Sequence, residues 1–216
     1  MKSVVVGSGG REHALAHVLG RDSDVTVTPG NPGIPNSTTQ SPLNIDADLF
    51  VIGPEAPLVD GLADQLRAQG KTVFGPGVDG AQLEGSKAWM KDLLVEANVP
   101  TAKHGTFTNE DEAIAFLTDM PLPYVIKTDG LAAGKGVIVT ESVNEAKDAI
   151  KNYLSGDAFG DAGKTVVIEE GLIGNEISIL AICDGTKAVP LAPAQDYKRL
   201  LNNDEGPNTG GMGAYS

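Results

Sequence analysis

Two glycine-rich segments carry the residue types that bind phosphate. The first, Gly7-Ser8-Gly9-Gly10-Arg11-Glu12-His13, follows a short apolar run and opens a helical pattern. Glycines let the backbone approach an anion, and a helix N-terminus supplies free N–H groups and a positive dipole end. The spacing predicts a phosphate site, with a tight strand-to-helix turn as the alternative. It does not fit a dinucleotide fingerprint, because Glu12 stands at the third glycine position of that pattern.

The second segment, residues 127–137, has a lysine near each end of a run of glycines. It differs from a P-loop, because three residues rather than four separate Gly130 from Gly134 and a strand rather than a helix follows. A loop between antiparallel strands can close over a triphosphate as a lid. Lys127 and Lys135 would then neutralise charge while glycine N–H groups bond the oxygens. A plain surface hairpin is the alternative.

Two later segments are less specific. Glu169-Glu170-Gly171-Leu172 ends a strand before Asn175-Glu176, and such an edge can offer backbone groups to an adenine and a carboxylate to a ribose. Exposed Glu pairs are more often simply solvated. Asp196-Tyr197-Lys198-Arg199 precedes Gly206-Pro207-Asn208-Thr209-Gly210-Gly211-Met212-Gly213, and a Lys-Arg pair before an Asn-Thr-Gly-Gly turn suits a carboxylate or phosphate. A flexible terminal tail is the alternative.

The histidines and the cysteine carry no comparable pattern. His13 and His17 share one helix, but a zincin helix needs a glutamate directly after its first histidine, where this chain has Ala14. His104 stands apart from them, so we expect no metal ligands in this chain. Cys183 falls on an alternating apolar run, which predicts a buried core position.

The elements that must position these residues divide the chain into two halves. Strand patterns at 3–6, 24–28, 48–52 and 72–74 alternate with helical periods at 11–19 and 58–68, a rhythm typical of an open, doubly wound parallel sheet. Residues 29–47 show no helical period, so this crossover must be irregular or leave the sheet face partly uncovered.

The second half has an antiparallel α+β texture. A helix at 86–97 is followed by helix starts at Asn109 with Glu112 and at Ser142 with Glu145, both capping-box patterns. Strands are predicted at 124–127, 136–140, 165–169, 176–183 and 187–192, the last two flanking an Asp184-Gly185 hairpin turn. We expect domains at 1–85 and 86–216, with a lid subdomain at about 104–171.

Composition restricts the function classes. The 216 residues carry a formal net charge of −13, which argues against nucleic-acid and anionic-membrane partners. A single cysteine cannot form an internal disulfide, and no apolar run reaches the ~20 residues of a membrane span. We therefore expect a cytoplasmic protein whose 27 glycines gather in binding loops.

Taken as a set, these segments resemble the phosphoribosylamine–glycine ligase (glycinamide ribonucleotide synthetase) family of the ATP-grasp superfamily. The matching stretches run across the whole chain and are highly specific as a combination: GSGGREHAL (7–15), PGNPG (29–33), IGPEAPLVDG (52–61), LEGSKAWMKD (83–92), KTDGLAAGKGV (127–137), AFGDAG (158–163), VIEEGL (167–172) and GPNTGGMGAYS (206–216). The resemblance implies a doubly wound N-terminal domain followed by an incomplete ATP-grasp domain.

The resemblance also implies roles for particular residues. Those that would bind ATP are Lys87, Lys127, Gly130, Leu131, Ala132, Ala133, Gly134, Lys135, Gly136, Val137, Glu169, Glu170, Leu172 and Glu176. Those that would face the other substrates are Gly9, Gly10, Arg11, Glu12, Asn31, Gly33, Glu55, Asp196, Lys198, Asn208, Thr209 and Gly210. The implied catalytic group is Lys127, Lys135, Asp196 and Lys198.

The implied reaction joins glycine to 5-phosphoribosylamine through glycyl phosphate, with ATP and Mg²⁺ or Mn²⁺. Such chemistry needs cations more than a protein nucleophile, because charge repulsion between carboxylate and triphosphate sets the barrier. The family's chain continues past GGMGAYS into strands that carry the metal ligands, and it usually has another helix near 34–47. Both departures suggest a fragment, a split-gene product with a partner chain, or a degenerate copy.

Two other functions stay open from the sequence. A non-catalytic nucleotide-binding or interaction module would use the uncovered sheet face to associate and would show no turnover. A nicotinamide-dependent oxidoreductase would rest only on the glycine-rich first turn. The missing acidic residue after the second strand, where Thr28-Pro29-Gly30-Asn31 stands, disfavours it.

Overall fold

The computed structural model describes residues 1–130, 136–156 and 163–216, without the side chains of Asp204 and Asn208. The chain forms two compact units, Met1–Gly171 and Leu172–Ser216, called here the first and the second unit. None of the helices in the described ranges has the length and apolar content needed to cross a membrane.

The first unit begins with a four-stranded parallel sheet in the order β2-β1-β3-β4. Its strands are β1 (Lys2–Gly7), β2 (Asp24–Pro29), β3 (Leu49–Ile52) and β4 (Val73–Phe74). Alternate residues of β1 serve opposite faces: Val4 and Val6 join one buried cluster and Val5 joins another. Such near-continuous apolar strands are typical of a sheet covered on both sides.

Helices cover both faces of this sheet. They are α1 (Gly10–Leu19), α2 (Glu55–Val59), α3 (Leu62–Ala68) and α4 (Val78–Gly85). Residues of α1 pack on one face, and residues of α2, α3 and α4 pack on the other. The doubly wound α/β prediction is confirmed. The single helix predicted over 58–68 is wrong, because Gly61 adopts φ +82° and separates α2 from α3, while α4 was not predicted.

The crossover between β2 and β3 is irregular, as the sequence predicted. Its described regular structure is a 3₁₀ turn over Pro42–Asn44 and one bridge between Val27 and Ser37. Ile34 is buried against the sheet in place of a helical side chain. Leu43, Ile45 and Ala47 of the same crossover pack against the cluster on the opposite face, so the crossover contributes apolar residues to both sides of the sheet without forming an α-helix.

The rest of the first unit is an antiparallel sheet in the order β5-β8-β6-β7. Its elements are α5 (Lys87–Glu96), β5 (His104–Phe107), α6 (Glu110–Phe116), β6 (Tyr124–Thr128), β7 (Val137–Thr140), α7 (Val143–Leu154) and β8 (Val166–Glu170). Asn109 and Ser142 cap α6 and α7, as predicted, by accepting from the N–H groups of Glu112 and Glu145. The core lies between α6, α7 and the sheet, and β5 was not predicted.

The second unit consists of two antiparallel hairpins. They are β9 (Ala181–Cys183) with β10 (Ala188–Pro190), and β11 (Gln195–Leu201) with β12 (Glu205–Tyr215). The Asp184 turn is confirmed, since its carboxylate accepts from the N–H groups of Thr186 and Lys187. Both strands of that hairpin are shorter than predicted.

One prediction in the second unit is wrong. Cys183 is exposed rather than buried, because β9 pairs only with β10 and no buried cluster of the described residues includes it. Residues 206–213 lie within β12 and are not a loose tail. Asn208 and Gly213 pair with β11, and the register shifts between them, where the Gly211 N–H donates to Thr209 Oγ1 at 3.0 Å.

Candidate functional site

The N-terminal glycine loop is organised around a buried carboxylate. Glu12, 3% exposed, accepts from the Gly9 N–H at 2.7 Å and from Arg11 Nε at 2.8 Å. Arg11 Nη1 also donates to Glu55 Oε1 at 3.0 Å, which links the loop after β1 to the start of α2. Loops at the carboxyl ends of parallel strands are the usual ligand site of such a sheet.

The arginine bridge sets the charge state of both carboxylates. Burial works to raise the pKa of Glu12, but hydrogen bonds from Arg11 and the Gly9 N–H outweigh it, so this pKa is below its ordinary value. The hydrogen bond from Arg11 likewise lowers the pKa of Glu55. The loop therefore presents an ionised Arg–Glu pair at neutral pH.

The loop after β2 joins the same edge of the sheet. The Asn31 side chain donates to the Ser8 carbonyl at 2.7 Å and accepts from the Gly33 N–H at 2.7 Å. A cavity of about 750 Å³, lined by residues 29–32, 34 and 37–39, lies along this loop. Gly9, Gly10, Arg11, Glu12, Asn31, Gly33 and Glu55 thus belong to connected loops at one edge.

A second group of polar residues lies where α5 meets the antiparallel sheet. The Lys87 ammonium donates to the Gly130 carbonyl at 2.6 Å, at the start of the lysine-flanked loop. Burial lowers the pKa of Lys87; the Asp129 carboxylate opposes this shift and the nearby Lys127 reinforces it. The Asp129 carboxylate accepts from Ser86 Oγ at 3.0 Å and from the Ala88 N–H at 3.1 Å, which fastens the loop to the start of α5.

Lys127 and Glu169 form an ion pair within this group. Lys127 Nζ donates to Glu169 Oε2 at 2.9 Å, and the Glu169 side chain is 7% exposed. Glu169 Oε1 is buried and has no hydrogen-bond partner among the residues that the structure describes. A buried carboxylate oxygen without a donor calls for one from a ligand or water.

Lys91 also belongs to this group, although it lies outside the motifs that predicted the site. It is 4% exposed, donates to Thr101 Oγ1 at 2.7 Å and lies 3.3 Å from Glu169 Oε2. A sequence signal exists: Lys91 follows Lys87 by four residues and so lies on the same face of α5.

The structure describes some of the neighbouring predicted residues and not others. The Glu170 carboxylate accepts from the Lys103 N–H at 2.8 Å, so it holds the start of β5. The Gly136 carbonyl accepts from the Thr128 N–H, and Val137 begins β7. The predicted nucleotide residues Leu131, Ala132, Ala133, Gly134 and Lys135 lie outside the described residues.

In the second unit, three predicted residues meet. Lys198 Nζ donates to Glu176 Oε1 at 2.6 Å and lies 3.6 Å from Asp196 Oδ2, beside a cavity of about 420 Å³. The hydrogen bond to Glu176 raises the pKa of Lys198. Leu172, the first residue of this unit, is strongly exposed.

The remaining predicted residues lie on β12. Thr209 Oγ1 donates to the Lys198 carbonyl at 2.9 Å and so ties β12 to β11. A Cβ added at Gly210 would meet nothing within 4 Å. Asn208 pairs through its backbone with Arg199.

Divalent metal ions need carboxylate, imidazole or thiolate ligands rather than the ammonium groups described above. Within the described ranges, no three His, Cys, Asp or Glu side chains converge in a way that could hold a metal ion. The described residues by themselves therefore supply no complete donor set for Mg²⁺ or Mn²⁺, ions that in nucleotide sites take further ligands from the phosphates.

Comparison with known proteins assigns both parts of the chain. Residues 1–84 match the phosphoribosylglycinamide synthetase N domain, and residues 85–216 match the ATP-grasp (A) domain of the same synthetase. The chain is 49% identical over 234 aligned positions to phosphoribosylamine–glycine ligase of Xanthomonas campestris pv. campestris and 47% identical to that of Escherichia coli (strain K12). It covers 54% of each relative, so it spans about half their length.

Solved structures agree with this assignment. The crystal structure of phosphoribosylamine–glycine ligase from Thermotoga maritima superimposes on 99% of this chain with a TM-score of 0.85 and 34% identity, and 55% of that chain is covered. N5-carboxyaminoimidazole synthetase from Staphylococcus aureus, complexed with ADP, shares the fold, with a TM-score of 0.69 at 16% identity over 92% of this chain and 55% of its own. The chain belongs to the phosphoribosylglycinamide synthetase family.

Proposed function

We propose that this chain provides the nucleotide- and substrate-binding part of an enzyme that ligates glycine to 5-phosphoribosylamine at the expense of ATP. One observation carries the proposal: Lys87, Lys127 and the buried Glu169 lie together at the start of the lysine-flanked loop. One oxygen of Glu169 has no hydrogen-bond donor among the described residues. The family of the chain and the ligase activity of its relatives from Xanthomonas and Escherichia support it.

ATP fits the group of residues at α5. The ammonium groups of Lys87 and Lys127 suit the phosphates, and Glu169 Oε1 suits the 6-amino group of adenine because it is an acceptor without a donor. The resemblance adds the backbones of Glu170 and Leu172 at the adenine, the Glu176 carboxylate at the ribose, and residues 130–137 as the lid. These assignments are supported by position in the sequence motifs.

The N-terminal loops fit 5-phosphoribosylamine. Arg11 and the N-terminus of α1 offer positive charge for a phosphate, and Glu55 offers a carboxylate for ribose hydroxyls or the amine. The adjoining cavity along residues 29–39 gives room for a sugar phosphate. We infer that Glu12 positions the loop rather than contacting the substrate, because its carboxylate is buried and already bonded to Gly9 and Arg11.

The proposed chemistry needs charge neutralisation twice. A glycine carboxylate oxygen attacks the γ-phosphorus of ATP, the bond from γ-phosphorus to the bridging oxygen breaks, and ADP leaves. The amine of 5-phosphoribosylamine then attacks the carbonyl carbon of glycyl phosphate, phosphate leaves, and the nitrogen loses a proton. Lys127, Lys135 and Lys198 would offset the negative charge, with Asp196 orienting Lys198.

A second candidate is a non-catalytic nucleotide-binding module that associates with a partner chain. Exposed apolar side chains favour it, since Ile177, Ile179 and Leu180 are each more than half exposed in the second unit. Such a surface is typical of an interaction site. A partner chain bound to this surface would cover these side chains. We place either form in the cytoplasm, where the exposed Cys183 stays reduced.

Thermal unfolding with Mg·ATP tests nucleotide binding. Saturation at about 100 times Kd should stabilise the chain by about 2.7 kcal/mol, and Lys127→Ala with Lys135→Ala should abolish this shift. Lys147→Ala, which removes an exposed lysine from α7, should keep it. An unchanged melting temperature at millimolar ATP would exclude nucleotide binding by this chain.

A coupled ADP-release assay separates the two candidates. Glycine and 5-phosphoribosylamine are supplied to the chain alone and to the chain mixed with the C-terminal half of the Escherichia coli relative. Turnover by the chain alone excludes the non-catalytic module. Turnover only in the mixture supports a divided ligase, and nucleotide binding without turnover in either supports the module.

A further inference from the structure

Lys91 is an unusual side chain for its surroundings. It lies on α5 one turn after Lys87, is 4% exposed, and its hydrogen-bond donors reach Thr101 Oγ1 at 2.7 Å. Lysine is almost never fully buried unless it is paired. Its ionic partner is Glu169 Oε2, at 3.3 Å.

The two lysines share one oxygen of this carboxylate. Lys127 Nζ and Lys91 Nζ both approach Glu169 Oε2, at 2.9 and 3.3 Å, while Oε1 has no donor among the described residues. The two cations differ in exposure: the side chain of Lys127 is 25% exposed and that of Lys91 is 5% exposed. Only Lys127 therefore has room to turn towards a ligand.

Glu169 Oε1 can face a ligand in one direction only if the other oxygen of the carboxylate has a fixed partner. If Lys127 moves to a nucleotide phosphate, as the proposed function requires, Lys91 is the ammonium that remains on Glu169 Oε2. Glu169 Oε1 then stays an acceptor in a fixed place, which pairs with the 6-amino group of adenine and repels the 6-oxo group of hypoxanthine. Without Lys91, the carboxylate loses this partner and can turn away from the purine, so both effects weaken.

We propose that Lys91 is a positioning residue for purine selectivity: by pairing with Glu169 Oε2 it holds the carboxylate in place and directs Oε1 as an acceptor for a 6-aminopurine. This inference rests on the proposed function, because it takes the nucleotide to bind at Glu169. It assigns Lys91 no contact with the ligand. Its effect must therefore pass through Glu169.

The test is calorimetric titration of the chain with ATP and with ITP, without glycine. The wild-type chain should bind ATP about 10- to 100-fold more tightly than ITP, the range expected when an acceptor faces the wrong partner. Lys91→Met should reduce this ratio to below about threefold, whereas Lys91→Arg, which keeps the cation, should largely preserve it. Lys87→Met is the matched control on the same helix face. It should weaken both nucleotides to a similar extent and leave the ratio unchanged.

Lys91→Met leaves a buried carboxylate short of a cation and can impair folding. The pair Glu169→Ala and Lys91→Met/Glu169→Ala removes the carboxylate altogether and keeps the inference testable. The two variants should show the same ATP-to-ITP ratio, because Lys91 has no route to the purine except Glu169. A further change of the ratio in the double variant would overturn the inference.

The outcomes also distinguish the inference from the function on which it rests. A wild-type chain that binds neither nucleotide overturns both. A wild-type chain that prefers ATP, with the same preference in Lys91→Met, overturns the role of Lys91 alone and leaves nucleotide binding intact.

Discussion

Substitution of Gly53 by alanine tests how firmly the carboxylate of Glu12 is held beneath the N-terminal loop. A Cβ at position 53 would lie 2.7 Å from both Cγ and Cδ of Glu12, whereas carbon atoms normally pack at about 3.5–4.0 Å. About 1 Å of overlap must therefore be absorbed. The Glu12 side chain is only 4% exposed, so it cannot swing into solvent without breaking the loop.

The cost of Gly53→Ala follows from these contacts. Overpacking costs about 1–3 kcal/mol, and a displaced carboxylate also weakens its bonds to the Gly9 N–H and to Arg11, each worth about 1.5 kcal/mol or more. We expect a loss of about 3 kcal/mol, which lowers the melting temperature of a chain of this size by about 6–12 °C. Differential scanning calorimetry or urea unfolding measures it.

Gly10→Ala is the matched control in the same loop. A Cβ there meets nothing within 4 Å, and alanine favours the first turn of α1, so stability should stay the same or rise by up to about 1 kcal/mol. In a Glu12→Ala background, Gly53→Ala should lose most of its cost, because the obstructing carboxylate is gone. Equal stability of Gly53→Ala and Gly10→Ala would refute the locked arrangement.

Three further changes address caps, the lysine loop and pH. Asp129→Ala removes the acceptor for Ser86 Oγ and the start of α5, so urea unfolding should show a loss of about 1–2 kcal/mol, together with weaker ATP binding through Lys87. Ser142→Ala removes the α7 cap and should cost about 1 kcal/mol with no effect on ATP binding. The depressed pKa of Glu12 contributes stability above its ordinary 4.5 that is lost as pH falls through the folded value. Glu12→Gln should therefore flatten the fall in unfolding free energy between about pH 6 and pH 3, and an unchanged slope would contradict it.

Local patterns were sufficient wherever local interactions decide the structure. The parallel strands, the Asn109 and Ser142 caps and the Asp184 turn were all predicted, because apolar period, cap chemistry and turn residues act within a few positions. The break between α2 and α3 was missed for a related reason. Apolar residues keep helical spacing across Gly61, and only its left-handed backbone ends the helix.

Long-range contacts account for the other errors. The glycines of 206–213 leave a flexible tail open by composition, yet pairing of Asn208 and Gly213 with β11 places the stretch within β12. Lys91 looks like a solvated helix lysine until Glu169, 78 positions later, is placed beside it. The grouping of the candidate site was predicted only through family motifs, because no spacing rule brings Lys87 to Gly130 or Lys127 to Glu169.

The N-terminal glycines serve a purpose that a phosphate-loop pattern does not suggest. A Cβ at Gly7 or at Gly53 would lie within 2.7 Å of the Glu12 side chain, so these glycines make room for the protein's own carboxylate. In a dinucleotide loop the third glycine allows the helix to pack closely on the strand, whereas here the Glu12 side chain stands at that position. Of Gly7, Gly9 and Gly10, only Gly10 has open space where a Cβ would lie, and it stands beside the half-exposed Arg11. An anion approaching this loop therefore meets one helix N-terminus and one guanidinium. That arrangement suits a single terminal phosphate such as that of a sugar phosphate better than a bridging one.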